Sequence, residues 1–340
     1  MTAPAATIAA AWDMKFRRFM GVSRTGGRAI LGRPGLDVEP ASVPGIAGRR
    51  GTGGLHIGPR TPGITLPARA TPSKGAAARQ ASSPSPTMPK KKSLAALVTG
   101  ASRGIGRQIA LHLATRGVRV GIHYLRNRAA ARAVLDALPG KGHALFRADM
   151  GDPDQVARLW RAATRRMGPV GIVVNNAAIH GSHPPLSTDP VDWRKAWDRI
   201  LAVNLQGPAD LSYLAARAMA KSGGGRIVNI SSRGAFRGEP ESPAYGASKA
   251  GINALSQSLA KALAPHGVLV FCIAPGWVET EMAAAHLAGP LGEEIRGQHP
   301  LGRVTHAGEV ALAAVFCALD APAAMTGSVI DVNGASYLRT

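Results

Sequence analysis

Short apolar runs alternate with longer segments of helical periodicity from residue 93 to the C-terminus. The runs lack strict apolar–polar alternation, which is typical of strands buried on both faces of a parallel sheet. Helix-length segments separate most of them, as repeated strand–helix–strand units require. We therefore predict one α/β domain with a doubly wound sheet of seven parallel strands and helices on both faces. The predicted strands are Leu94–Val98, Val118–His123, Ala144–Ala148, Val170–Val174, Arg226–Ile230, Leu269–Ile273 and Val329–Val332.

The first 92 residues have a different composition. They hold 11 of the 25 prolines, and their 15 lysines and arginines against 3 acidic residues carry +12 of the formal net charge of +21. Such a segment has too little apolar surface to offset the entropy lost on ordering, so we expect disorder. The predicted division is a basic leader over 1–92 and a folded domain over 93–340.

Three interpretations of this leader are open. Its arginine-rich, acid-poor composition fits an organelle transit peptide, and a basic tail also fits nucleic acid or an anionic membrane surface. We prefer a third hypothesis, in which translation begins at Met88 and residues 1–87 are absent from the native protein. The leader has neither a membrane-spanning apolar run nor the apolar core of a secretory signal. The intact mass of the native protein tests this hypothesis, because a chain beginning near Met1 contradicts it.

Cysteine and histidine usage gives no indication of a metal or disulfide site. Cys272 and Cys317 lie in apolar contexts and are predicted to be small core residues, without a C-x-x-C spacing. No metal-ligand spacing accompanies His180 or His183. We predict that both are core or surface histidines and that the protein holds no metal.

A glycine-rich turn follows the first predicted strand, in Thr99-Gly100-Ala-Ser-Arg103-Gly104-Ile105-Gly106. An amphipathic helix is predicted from Ile105 to about Thr115. Glycine lets a backbone turn tightly and approach a pyrophosphate, whose charge the free N–H groups of a helix start can meet. The spacing G-x-x-x-G-x-G differs from the usual dinucleotide fingerprint, and a purely structural turn is the alternative.

The end of the second predicted strand carries arginines where an acidic residue often meets the ribose of NAD(H). No Asp or Glu lies between Gly106 and Asp136, whereas Arg103, Arg126 and Arg128 are available to pair with a phosphate. We therefore predict NADP(H) in preference to NAD(H). Solvated surface arginines are the alternative.

Tyr245 and Lys249 stand four residues apart, so one helix places both on the same face. A free tyrosine titrates near ~10, and a nearby ammonium favours the phenolate. The pair therefore predicts an acid tuned for proton transfer. A tyrosine packed under a helix with a solvated lysine is the alternative.

From Ser93 to the C-terminus the chain resembles the short-chain dehydrogenase/reductase family, whose motifs occur here in the family's order. The family's T-G-x-x-x-G-x-G runs from Thr99 to Gly106, and its N-N-A-G turn is Asn175-Asn176-Ala177-Ala178, with alanine in place of the usual glycine. The family's Asp followed by an apolar residue matches Asp149-Met150, its helical Asn matches Asn204, and its Ser before the Tyr matches Ser232. Its Tyr–Lys pair matches Tyr245 and Lys249, and its P-G-x-x-x-T turn runs from Pro275 to Thr280.

The resemblance implies a Rossmann-like fold that reduces a carbonyl with a nicotinamide cofactor or oxidises the alcohol. Tyr245 would deliver the proton, and Ser232 would stabilise the charge on the substrate oxygen. Lys249 would hold the ribose and lower the Tyr245 pKa, and Asn204 would anchor a water. The implied cofactor contacts are Thr99, Gly100, Ser102, Arg103, Gly104, Ile105, Gly106, Tyr124, Arg126, Asp149, Met150, Asn176, Ala177, Ala178, Tyr245, Lys249, Pro275, Gly276, Val278 and Thr280.

The substrate is less well defined by the sequence. The segment from Trp277 to Arg303 resembles the family's substrate-covering lid, and Arg233 and Arg237 either meet an anionic substrate or, as we favour, are solvated loop charges. Bacterial 3-oxoacyl-carrier-protein reductases share this pattern, so we expect a ketone or 3-oxoacyl thioester, with sugars, polyols and steroids as alternatives. A non-catalytic NADP(H)-binding sensor is the alternative of another class. The resemblance also implies a cytoplasmic homodimer or homotetramer with neither a nucleic-acid partner nor a membrane span.

Overall fold

The computed structural model describes residues 94–339, and the predicted leader lies outside these described residues. The strands are β1 Ala95–Val98, β2 Arg119–Tyr124, β3 Ala144–Arg147, β4 Ile172–Asn175, β5 Gly225–Ile230, β6 Val268–Pro275, β7 Val278–Glu279, β8 Thr305–His306 and β9 Val329–Val332. Seven of them form a parallel sheet in the order β3-β2-β1-β4-β5-β6-β9, and β7 pairs with β8. The predicted fold class is therefore confirmed.

Helices occupy the connections between the strands. They are α1 Gly104–Thr115, α2 Arg128–Ala137, α3 Pro153–Met167, α4 Pro190–Leu201, α5 Gly207–Lys221, α6 Gly234–Arg237, α7 Pro243–Leu263, α8 Ala284–Ala288, α9 Gly292–Gly297 and α10 Ala307–Leu319. A π-helical turn over Ala202–Gln206 joins α4 to α5, and 3₁₀ turns cover Ala264–His266 and Ala323–Met325. No helix within the described part of the chain is both long and apolar enough to cross a membrane.

Two apolar clusters, one on each face of the sheet, explain why the strand sequences are apolar throughout. Successive strand residues point to opposite faces, so Ala96 and Val98 of β1 join one cluster while Ala95 and Leu97 join the other. The first cluster packs against α1, α2 and α10, and the second against α3, α5 and α7. Cys272 and Cys317 are buried free thiols, as predicted.

The carboxyl ends of β1 and β4 create the space for a site. From β1 the chain continues to β2 and β3 on one side, whereas β4, β5 and β6 lie on the other. The loops after β1 and β4 therefore diverge and leave a crevice at this switch point, where open α/β sheets bind their ligands. The motifs that follow these two strands both border this crevice.

Candidate active site

The glycine turn between β1 and α1 has the backbone geometry that its sequence predicts. Gly100 and Gly104 have φ angles of +63° and +52°, a region that favours glycine. A Cβ on Gly106 would overlap the Gly100 carbonyl oxygen, so the helix start can approach the turn only without a side chain. Gly104 and Ile105 line the crevice at the N-terminal end of α1, where N–H groups suit a phosphate.

The buried side chain of His123, which the sequence does not single out, stabilises this turn through hydrogen bonds. The Gly100 N–H donates to His123 Nδ1 at 3.0 Å, and His123 Nε2 lies 3.1 Å from the Ala148 carbonyl oxygen. Burial lowers the pKa of His123 to about 4, so the ring is neutral and Nε2 carries the proton. His123 thus connects the turn after β1 to the end of β3.

Thr99 and Asn176 join the two diverging loops. Thr99 Oγ1 accepts hydrogen bonds from the Asn176 and Ala177 N–H groups at 2.9 and 3.0 Å. Asn176 Nδ2 donates to the carbonyl oxygens of Thr99 and Gly100 at 2.9 and 3.1 Å. Thr99 and Gly106 do not line the crevice, so their contribution lies in shaping the turn. Asn176, Ala177 and Ala178 line it, as do Gly100, Ser102 and Arg103.

Asp149 has an arginine partner that the sequence does not predict. Arg199 Nη2 of α4 donates to both Asp149 carboxylate oxygens at 2.9 Å. Burial acts to raise the Asp149 pKa, but the hydrogen bonds from Arg199 and from the Gly151 N–H outweigh it, and the pKa is lowered. Asp149, Met150 and Arg199 all line the crevice, so the carboxylate is oriented and ionised.

The arginines near the end of β2 differ in their placement. Arg103, Arg107 and Arg126 line the crevice beside Tyr124, whereas Arg128 begins α2 and does not line it. Arg103 Nε also lies 3.5 Å from Glu281 in an exposed pair. The arginines available to a phosphate in the structure are therefore Arg103, Arg107 and Arg126, with Arg107 in the place predicted for Arg128.

Tyr245 and Lys249 lie on one face of α7, in contact with the end of β5. Lys249 Nζ stands 5.6 Å from the centre of the Tyr245 ring and donates to the Ile230 carbonyl oxygen at 2.9 Å. The Ser232 side chain lies close enough to the Tyr245 phenol to lower its pKa, and Ser232 Oγ accepts from the Gly234 N–H at 3.0 Å. Ser231 instead donates to the Lys249 carbonyl oxygen, so Ser232 is the serine beside the phenol.

Burial changes the proton affinities of this pair. It raises the pKa of Tyr245 to about 12, against the lowering effect of the nearby Ser232 side chain. It also lowers the pKa of Lys249 to about 8. The expectation that the lysine brings the Tyr245 pKa below its ordinary value is therefore wrong for this arrangement. Loss of hydration penalises the charged form of each side chain.

Asn204 lies behind the crevice, in the π-helical turn. Its Oδ1 accepts from the Ile179 N–H at 2.8 Å, and its Nδ2 donates to the Ile179 carbonyl oxygen at 2.9 Å and to Ser248 Oγ at 3.2 Å. Asn204 thus connects the loop after β4 to α7. A π turn inside a helix often accompanies a functional residue, although the sequence does not signal this one.

The loop after β6 completes the crevice with Pro275, Gly276, Val278 and Thr280. The prediction that Arg233 is a solvated charge is wrong, because this residue is only 3% exposed. Its guanidinium donates to Gln298 Oε1 at 2.7 Å and to the Ser336 carbonyl oxygen at 3.3 Å. Arg237 is exposed and lies 3.7 Å from the carboxylate of Glu239. Of the two arginines, Arg233 alone therefore departs from the predicted surface charge.

The resulting crevice has a volume of about 1100 Å³ and extends from Arg126 to Tyr245. That exceeds the ~300–1,000 Å³ typical of a site for one drug-sized molecule. The glycine turn, the oriented carboxylate and the lysine all border this crevice, so the residues present fit a nicotinamide cofactor. His180 lines the crevice, whereas His183 is buried in the protein and does not line it.

Comparisons with known proteins agree with this geometry. The family model described as enoyl-(acyl carrier protein) reductase matches residues 100–335. A short-chain type dehydrogenase/reductase of Picea abies is 38% identical over 247 residues, covering 70% of this chain and 90% of the relative. The 3-oxoacyl-[acyl-carrier-protein] reductase of Escherichia coli (strain K12) is 37% identical over 243 residues, covering 72% of this chain and 97% of the relative.

A solved structure supports the same fold. The crystal structure described as ribose-5-phosphate isomerase from Brucella melitensis 16M superposes with a TM-score of 0.65 at 30% identity, covering 71% of this chain and 91% of that one. Since the family model covers well over half of the chain and the relatives match along nearly their whole length, the chain belongs to the short-chain dehydrogenase/reductase family and is an oxidoreductase that acts on CH–OH or C=O groups with NAD(P).

Proposed function

We propose that this protein reduces the ketone of a 3-oxoacyl-type substrate to a secondary alcohol, with NADPH as the reductant. The observation that carries the proposal is that Ser232 and Tyr245 lie side by side in the same crevice as the glycine turn and Lys249. A phenol and a hydroxyl that converge on one point are suited to hold a carbonyl oxygen. The 3-oxoacyl class follows from the names of the relatives that act on such thioesters.

The protein's own groups account for the proton transfer and the orientation of the substrate. The nicotinamide supplies the hydride when bound. Tyr245 keeps its proton across the neutral range because burial raises its pKa to about 12, and it can donate that proton to the substrate oxygen. Ser232 Oγ–H donates to the same oxygen and stabilises the charge that develops on it.

Lys249 and Asn204 act from behind the phenol. The Lys249 ammonium, whose pKa burial lowers to about 8, is placed to hold ribose hydroxyls and to favour proton loss from Tyr245 as the reaction proceeds. Asn204 positions the loop after β4, and we propose that the water for proton resupply binds near this residue.

We propose NADP(H) as the preferred cofactor because arginines surround the outer end of the crevice. Arg103, Arg107 and Arg126 line it there, and guanidinium groups pair well with a ribose phosphate. We further propose an acyl-thioester substrate, in line with the 3-oxoacyl-[acyl-carrier-protein] reductases among the relatives. From the family resemblance we propose a homodimer or homotetramer that acts in the cytoplasm. This function requires neither nucleic acid nor a membrane.

NADPH oxidation tests the proposal, with a 3-oxobutanoyl thioester of N-acetylcysteamine as substrate and NADH in parallel. We expect turnover that prefers NADPH and falls at least about a hundredfold in Tyr245→Phe, since general acid catalysis contributes ~10²–10⁴-fold. NADPH binding, followed by its fluorescence, is expected to survive the change. Tyr213→Phe is the matched control, because Tyr213 is exposed on α5. Undiminished turnover in Tyr245→Phe contradicts the mechanism, and NADPH binding without turnover of any carbonyl favours the sensor alternative.

A further inference from the structure

His180 borders the part of the crevice where a substrate must meet Tyr245. The centres of the two rings lie 4.9 Å apart with an interplanar angle of 70°, an edge-to-face contact. On its other side His180 lies 6.3 Å from the ring of His286, which belongs to α8 in the segment that resembles a lid. The His286 ring in turn lies 5.4 Å from that of Trp277. The imidazole therefore stands between the proton donor and the lid.

The backbone on both sides of His180 is fixed by hydrogen bonds. Asn204 binds both the N–H and the carbonyl oxygen of Ile179, the preceding residue. The carbonyl oxygen of Gly181, the following residue, accepts from Ser242 Oγ at 2.5 Å and from His183 Nδ1 at 2.7 Å. Because Ser242 caps the helix that carries Tyr245, the position of His180 is coupled to that of the phenol.

The side chain of His180, in contrast, has ring contacts but no hydrogen bond within residues 94–339, and it lines the crevice. His183 shows the difference: its Nε2 accepts from the Ala244 N–H at 3.0 Å, so its ring is fully used in the structure. A preorganised polar ring with free nitrogens at a substrate site is suited to bind a polar group of the substrate.

The charge state of the His180 ring indicates which polar group of the substrate it can bind. Burial, followed by the proximity of His286 and His183, lowers the pKa of His180, so its imidazole is neutral at pH 7. A neutral ring has one N–H donor and one nitrogen acceptor. The ketone oxygen itself is held by Tyr245 and Ser232, which leaves the His180 N–H for a second oxygen nearby.

Resting on the function proposed above, we propose that His180 is a specificity-determining residue whose imidazole N–H donates to a second acceptor oxygen of the substrate, carried within two carbons of the reacting carbonyl. A thioester or ester carbonyl and a free carboxylate share this chemistry. A simple alkyl ketone lacks it. The residue thus selects 3-oxo compounds over plain ketones of the same length.

Paired substrates test the inference in the full-length protein with NADPH. Ethyl 3-oxobutanoate and 2-heptanone have chains of equal length and differ in the ester group that supplies the second carbonyl. A third substrate, 3-oxobutanoate, separates a carboxylate from an ester. The wild type is expected to prefer the oxo ester. His180→Phe keeps a ring against Tyr245 without an N–H, and we expect kcat/KM to fall about tenfold for the oxo ester, which is about 1.4 kcal/mol, but less than about threefold for 2-heptanone.

Two further variants separate specificity from structure. His180→Gln keeps a donor and is expected to regain part of the preference, while His266→Phe, at an exposed position far from the crevice lining, is expected to change nothing. Equal losses for both substrates in His180→Phe, or a wild type without preference for the second oxygen, overturn the inference.

A binding arm keeps the inference testable if no ketone is reduced, an outcome that would count against the proposed function alone. Saturation-transfer NMR then compares ethyl 3-hydroxybutanoate with 2-heptanol on wild type and His180→Phe in the presence of NADP⁺. Selective loss of the hydroxy ester signal in the variant supports the role of His180. Identical signals from the two proteins contradict it.

Discussion

Lys249 is a buried cation, and the structure predicts that its replacement stabilises the protein. The side chain is 3% exposed, and its ammonium donates to the Ile230 carbonyl oxygen at 2.9 Å. Burial lowers its pKa from 10.5 to about 8. The folded state therefore binds this proton more weakly than the unfolded state, and the charge destabilises the fold at pH values below about 8. We expect Lys249→Met to abolish turnover and to raise the free energy of unfolding at pH 7.

The magnitude follows from linkage between protonation and folding. At about 1.4 kcal/mol per unit of pKa, the charged Lys249 costs ~3 kcal/mol at pH 7. Removing the lysine leaves the Ile230 carbonyl oxygen without its donor, which costs about 1–3 kcal/mol. The net stabilisation is about 1 kcal/mol. As the pH rises from the folded-state pKa of Lys249 towards its unfolded-state pKa, the folded wild type loses the destabilising charge. The difference in unfolding free energy between Lys249→Met and the wild type therefore shrinks by ~2 kcal/mol by about pH 9.5.

Urea unfolding of the wild type and Lys249→Met at about pH 7 and about pH 9.5 measures the net stabilisation and its change with pH. The change between the two pH values is the sharper test, since the lost hydrogen bond contributes equally at each and cancels. Lys261→Met is the control, because Lys261 is an exposed residue of the same helix, and this substitution is expected to have little effect at either pH. A stability difference between wild type and Lys249→Met that stays constant with pH refutes the burial argument.

Two further predictions concern the cofactor end of the crevice. Gly106→Ala places a methyl group against the Gly100 carbonyl oxygen and is expected to destabilise the protein by ~1–3 kcal/mol and to weaken NADPH binding, whereas Gly308→Ala, in open space, does neither. Thermal unfolding and fluorescence titration measure both effects, and an unaltered Gly106→Ala protein contradicts the steric argument. Arg126→Glu is expected to raise KM for NADPH about tenfold and to leave KM for NADH nearly unchanged, with Arg128→Glu, outside the crevice, as control. Equal effects of the two substitutions on KM for NADPH would count against the assigned role of Arg126.

Much of the fold follows from local sequence patterns. The predicted strands match the observed ones to within a few residues because parallel strands buried on both faces need continuous apolar runs. The sequence does not predict the pair of strands β7 and β8, since two-residue strands carry no periodicity. It does not predict the contacts of Asn204 either, because the Asn204 side chain bonds Ile179 and Ser248, which are distant in the chain.

The sequence by itself determined the fold class, the glycine turn and the one-face placement of Tyr245 and Lys249, because each depends on residues close together in the chain. The tertiary structure alone decided which groups are desolvated and which pairs meet. It buried Lys249 and Arg233, paired Asp149 with Arg199, and placed the His180 ring edge-on against Tyr245. Burial and long-range pairing arise from the packing of distant segments, and no local pattern contains them.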